Sequence, residues 1–173
     1  MIGVVVVTHG QLAVELLNAA EMIVGDLPQF TAVSIGWHED VNDARDDIAQ
    51  AIVRVKGERG VLLLTDMFGG TPSNLGMTFL EADRLEVITG VNLPMLIKLA
   101  SLSGSANLLA VAREMRDHGR NAIWVASDLL RGEKGGSQGS QGSQGSQGSQ
   151  GSQGSQGSQG PLGSSALNPS KTQ

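Results

Sequence analysis

The 173-residue sequence contains no cysteine, which excludes disulfides and thiolate chemistry and gives no hint of an oxidising compartment. It also lacks a basic excess: 12 Lys and Arg stand against 17 Asp and Glu, for a net charge of -5. Of these, only Glu133, Lys134 and Lys171 fall in the C-terminal tail. Nucleic acid and anionic membrane surfaces are held through a basic footprint, so neither is expected as a primary partner. No apolar run approaches the roughly 20 residues needed to span a bilayer. The first run is short, follows no basic segment and leads into a helix pattern instead of a small-residue cleavage site, so the chain reads as cytoplasmic. No His, Asp or Glu cluster has convincing metal-ligand spacing, and neither a metal nor a cofactor is expected.

What is present is an alternation of apolar runs and helical patterns. Ile2 to Val7 is apolar throughout, as suits a parallel strand buried on both faces. Gln11 to Val24 follows at helical spacing and ends at Gly25 with Pro28 beyond. Phe30 to Ile35 reads as a second strand, and Asp40 opens a helix built on Ala44, Ile48, Ile52 and Val55 that Gly57 closes. Val61 to Thr65 is a third strand. Thr71 as N-cap and Pro72 as first residue then start a helix running to about Ala82. Leu85 to Thr89 is a fourth strand, Leu93 to Leu102 a helix, Ser105 to His118 a helix stopped by Gly119, and Asn121 to Ser127 a fifth strand. This order predicts an α/β fold, a doubly wound and mostly parallel sheet with helices on both faces. The fifth strand has no helix behind it, which suggests an edge position, an antiparallel insertion or exchange with a second subunit.

Composition changes near Gly132. Residues 1–132 have the size of one domain, whereas eight Gly-Ser-Gln triplets from Gly136 to Gln159 cannot bury apolar surface, so 133–173 is expected to be a disordered linker and tail. Glycine at every third position without proline in the repeat does not make a collagen triple helix. Gly160-Pro161-Leu162-Gly163-Ser164 resembles the remnant of a protease-cleavage cloning site, and a native repeat extension fits equally.

Two strand-end loops carry polar residues that strand patterning does not require. Thr8-His9-Gly10 follows the first strand, and Asp66 through Asn74 follows the third. In a parallel sheet both ends lie on one edge, so His9 and Asp66 can meet. A carboxylate bonded to one imidazole nitrogen would fix the tautomer and leave the other nitrogen as a nucleophile. Gly10, Gly69, Gly70 and Thr71 would then surround a phosphoryl group on His9, through close backbone approach and free N–H groups at helix starts. Taken singly, a strand-end histidine is more often a capping or hydrogen-bonding residue than a catalyst, and Asp66 could simply cap a turn. Their matched placement brings the catalytic reading level with these.

Thr8-His9-Gly10, Asp66-Met67-Phe68-Gly69-Gly70-Thr71-Pro72 and Gly90-Val91-Asn92-Leu93-Pro94-Met95-Leu96 resemble, in order and spacing, the three signatures of the mannose-family enzyme IIA component of the bacterial phosphoenolpyruvate-dependent sugar phosphotransferase system. The resemblance covers nearly all of residues 1–130. It implies that His9 takes a phosphoryl group from the phosphocarrier HPr and passes it to a histidine of a IIB partner, through a phosphohistidine intermediate. Asp66 would orient His9, and Thr71 would stand where relatives often carry Ser near the phosphate. It also implies a homodimer that exchanges a final antiparallel strand. Since no IIB domain follows the linker, that partner is expected on a separate chain.

The remaining candidates are read more plainly. His38 belongs to a solvated loop, and His118 to the last turn of a helix, where its partial charge suits the dipole. Trp37 and Phe68 are read as core, with a docking surface for HPr or IIB as the other possibility. Three alternatives to the transport relay stand: a regulatory member of the same family, the phosphoryl-transfer subunit serving dihydroxyacetone kinase, and a non-catalytic α/β ligand-binding module.

Overall fold

The computed structural model describes residues 1–103 and 106–131; the expected linker over 133–173 lies outside the described residues. Four strands, β1 (Gly3–His9), β2 (Phe30–Ile35), β3 (Val61–Thr65) and β4 (Leu85–Thr89), form a parallel sheet in the order β2-β1-β3-β4. The helices are α1 (Leu12–Val24), α2 (Val41–Val55), α3 (Thr71–Met77), α4 (Leu93–Ala100), α5 (Leu108–Asn121) and α6 (Ala126–Arg131).

The apolar runs of β1 and β3 follow from burial on two faces. Successive side chains of a strand point to opposite sides. Val4, Val6, Leu62 and Leu64 accordingly join Ala13 and Ala20 of α1, Leu96 of α4 and Met115 of α5 in one core layer. Val5, Val7, Val61 and Leu63 join Ala44, Ile48 and Val55 of α2 and Leu75 of α3 in the other. Each fully buried Val or Leu contributes about 1.5–3 kcal/mol relative to exposure. The two central strands therefore carry the doubly wound architecture, and the polar residues at their carboxyl ends mark one edge of it.

Four expectations need correction. The expected fifth strand over Asn121–Ser127 is absent from the described residues: α5 continues to Asn121, a short irregular stretch follows, and Ala126 begins α6. β-structure needs a paired neighbour, and among the described residues no strand pairs with this segment, so Ile123, Trp124 and Val125 are exposed. Gly119 does not stop α5 but lies buried within it, where a Cβ would sit 2.6 Å from the Met95 sulfur. That glycine is a packing residue between α4 and α5, and α5 begins at Leu108, where Asn107 caps it. Finally, α3 and α4 stop short of Ala82 and Leu102, at Met77 and Ala100. In α3 the Thr78 hydroxyl donates to the Leu75 carbonyl at 2.7 Å, and the chain turns there instead of completing the apolar pattern.

Candidate active site

β1 and β3 are direct neighbours, with Val7 opposite Thr65. The last residue of β1, His9, and the first residue beyond β3, Asp66, therefore leave the sheet side by side. One carboxylate oxygen of Asp66, Oδ2, accepts from the His9 backbone amide at 3.0 Å and lies 2.7 Å from His9 Nδ1. The other, Oδ1, accepts from the Met67 amide at 2.9 Å. Burial pushes the Asp66 carboxyl upward, but hydrogen bonds from the His9 ring, the His9 amide and the Met67 amide, with the attraction of His9, outweigh it and hold the acid below its ordinary value of 3.8. An ionised carboxylate at Nδ1 keeps the proton on that nitrogen and leaves a lone pair on Nε2. Nε2 has no hydrogen-bond partner among the described residues, and the His9 side chain is 48% exposed against 15% for Asp66.

The floor of the site is backbone. A Cβ on Gly70 would fall 2.7 Å from His9 Cε1 and 3.1 Å from Nε2, so only glycine lets the chain pass under that edge of the ring. Gly70, extended at φ -88° and ψ 170°, is the N-cap of α3, and Thr71 is its first helical residue; the expected cap at Thr71 is thus displaced by one position. Among the described residues no side chain caps that helix end; the Ser73 hydroxyl instead ties down the loop before it, accepting from the Gly69 amide and donating to the Gly70 carbonyl, both at 2.9 Å.

The four residues expected around a phosphoryl group all border His9 or its partner loop, but not all offer an amide. The Gly10 amide donates to the Ile35 carbonyl at 2.9 Å, and the Gly69 amide is engaged by Ser73. What these two glycines supply is turn shape, with φ of +55° and +85°, a region that favours glycine. The amides of Gly70 and Thr71 have no partner among the described residues.

Trp37 and Phe68, expected in the core, are 93% and 72% exposed. They sit in the loops after β2 and β3, the two strands that flank β1, so they stand on either side of His9. With one rotamer-limited ring on a tight loop, neither can reach past the strand ends into the core layers. His38 is exposed as expected. Sequence reading missed two buried hydroxyls: Ser73, described above, and Thr8, whose Oγ1 accepts from the Ala13 amide at 2.7 Å and so caps α1 from within β1. The signal for Ser73 was a hydroxyl residue three positions beyond a helix-start glycine, the spacing of a side-chain-to-backbone turn.

Comparison with known proteins places these features in context. The sequence model of the family described as PTS system fructose IIA component matches residues 3–115. The fructose-specific EIIA component of Bacillus subtilis strain 168 is 30% identical over 139 residues, spanning 80% of this chain and 95% of that protein. The mannose-specific EIIAB component of Escherichia coli K12 is 32% identical over 98 residues, 56% of this chain and 30% of that longer protein. Among solved structures, a PTS IIA protein associated with the fucose utilization operon of Streptococcus pneumoniae aligns with a TM-score of 0.66 and 26% identity, covering 74% of this chain and 95% of that one. A mannose/sorbose-specific IIA subunit from Enterococcus faecalis aligns with a TM-score of 0.64 and 29% identity, covering 72% and 93%.

Proposed function

Because the chain belongs to the mannose-type family of phosphotransferase-system IIA components, and so to the phosphoryl relays of sugar phosphotransferase systems, we propose that His9 is its phosphoacceptor and Nε2 the nitrogen that carries the phosphoryl group. The observation that carries this reading is the Asp66 carboxylate at 2.7 Å from Nδ1, which leaves Nε2 as the outward nucleophile. In the forward step the Nε2 lone pair bonds to phosphorus as the N–P bond of a donor phosphohistidine breaks. The donor ring, protonated on its other nitrogen, departs as neutral imidazole, and the proton on His9 Nδ1 stays there. The imidazolium so formed is balanced by Asp66, whose depressed pKa keeps it ionised. Transfer between two imidazoles asks for positioning and charge stabilisation more than covalent help. The free amides of Gly70 and Thr71 supply donors to the phosphoryl oxygens, and Gly10 and Gly69 shape the turns around them.

The donor on this reading is the phosphocarrier HPr and the acceptor a histidine of a IIB component, all acting in the cytoplasm. The reacting atoms must meet within a few ångströms, so any protein partner covers the surface around His9. Trp37 and Phe68, in the loops after the two strands that flank β1, are there as apolar anchors of the kind interfaces favour. Residues 1–132 carry the whole function. The segment holding Ile123, Trp124 and Val125 leaves its own chain and pairs as an antiparallel strand in a homodimer; Ile123 already borders a small cleft with Thr89 and Gly90 at the end of β4, a strand whose outer edge is free among the described residues.

The test is to incubate the protein with labelled phosphoenolpyruvate, enzyme I and HPr. Wild type is expected to acquire an acid-labile adduct and His9→Ala none. Equal labelling of the two proteins, or no labelling of wild type, would sink the relay reading and leave a non-catalytic module.

A further inference from the structure

We propose that Ser73 is a positioning residue for the phosphoacceptor, acting on the His9 ring through the Gly69-Gly70 backbone; this rests on the relay reading above for its kinetic consequence but not for its geometry. Ser73 is fully buried in α3, at a place where an apolar residue would satisfy packing alone. Its hydroxyl instead closes a small ring: it accepts from the Gly69 N–H and donates to the Gly70 C=O, both at 2.9 Å. The backbone enclosed by that ring is the part of the chain that passes under Cε1 and Nε2 of His9, so near that a single added Cβ would collide with the imidazole.

The imidazole is thus held at two edges by two different devices. Asp66 holds the Nδ1 edge by hydrogen bonding. The Gly70 backbone lies beside the Cε1–Nε2 edge with no room for a side chain between them, and Ser73 holds that backbone in place. Gly69, at φ +85°, occupies a conformation that a two-glycine loop reaches but does not keep unaided, since glycine has several others of similar energy. The Asn74 amide also donates to the Gly70 carbonyl at 3.0 Å, so the carbonyl would keep a partner without Ser73. The Gly69 amide would keep none among the described residues. Loss of the hydroxyl therefore frees the Gly69 side of the loop and lets the floor beside Nε2 shift, while the Asn74 amide still holds the Gly70 carbonyl.

The consequence is a defect in the chemical step and not in partner capture, since Ser73 is out of reach of any partner. With Ser73→Ala, the rate constant of phosphoryl transfer from phospho-HPr is expected to fall about tenfold, the scale on which small displacements of reacting groups act, with KM for phospho-HPr unchanged. Two readouts do not depend on activity. In wild type the Gly69 amide is expected to exchange with solvent more slowly than those of Gly70 and Thr71, and in Ser73→Ala this protection disappears while the His9 imidazole nitrogen resonances shift. Fast exchange of Gly69 in wild type overturns the proposal even if Ser73→Ala fails to fold. So does a folded Ser73→Ala protein with wild-type transfer and unshifted His9 resonances. If wild type is not phosphorylated at all, the relay reading fails, and the exchange and resonance measurements still decide the clamp.

Discussion

At the scale of single residues, the site depends on one carboxylate serving three donors. Because folding lowers the Asp66 pKa, the native state binds that proton less readily than the unfolded chain does. Its stabilising effect is complete above the ordinary value of 3.8 and disappears as pH falls through the lower native value. Asp66→Asn keeps an acceptor but loses the charge. It is expected to cost about 1 kcal/mol at neutral pH, the scale of one hydrogen bond at a partly solvated site, and to slow phosphoryl transfer at least tenfold by releasing the tautomer. Melting curves of both proteins across a pH series check the first part: the gap should be full above 3.8 and close as pH falls through the lower native value, and a gap that persists in acid below it, or opens there, assigns the stabilisation elsewhere. His9 and Asp66 were legible in the sequence because polar residues at the ends of all-apolar strands have few packing reasons to be there. Ser73 was not, because a serine inside a helix start reads as surface until its burial is known.

At the scale of elements, legibility followed burial. The four strands of the sheet draw on both core layers, so their existence could be read closely, although β1 runs from Gly3 to His9 and takes in Thr8 and His9, which read as a turn. Helix ends were read less well because they are decided by tertiary contact. Gly119 illustrates this: glycine near the end of a pattern signals a stop, yet here it lets α5 approach α4. Its carbonyl accepts from Asn92 Nδ2 at 3.0 Å, and a Cβ would meet the sulfur and Cγ of Met95 at 2.6 and 2.7 Å. Helix propensity alone gives alanine an advantage of about 1 kcal/mol over glycine. Overpacking against buried Met95 opposes it with about 1–3 kcal/mol, so Gly119→Ala is expected to lower the melting temperature by several degrees. A rise in melting temperature would show that Met95 moves aside freely and that the contact does not set the spacing of α4 and α5.

At the scale of the whole molecule, the segment after α5 was legible as apolar but not as to what covers it, since a strand is a property of two segments and the pattern of one does not name the other. The proposed exchange makes assembly part of the fold. Light scattering on the purified protein should give twice the 18.0 kDa chain mass, and Trp124→Asp, placing a charge in a strand that pairs across subunits, should shift it to monomer. A wild-type monomer at all accessible concentrations would remove the exchanged strand. The double grip of Asp66 Oδ2 on the backbone and ring of His9 has a consequence at this scale as well. The rotamer entropy of the His9 side chain is lost during folding, before any partner arrives. On the proposed relay reading, a phosphoryl group would then join a ring already in place, and a partner would sense it as negative charge added at a fixed point.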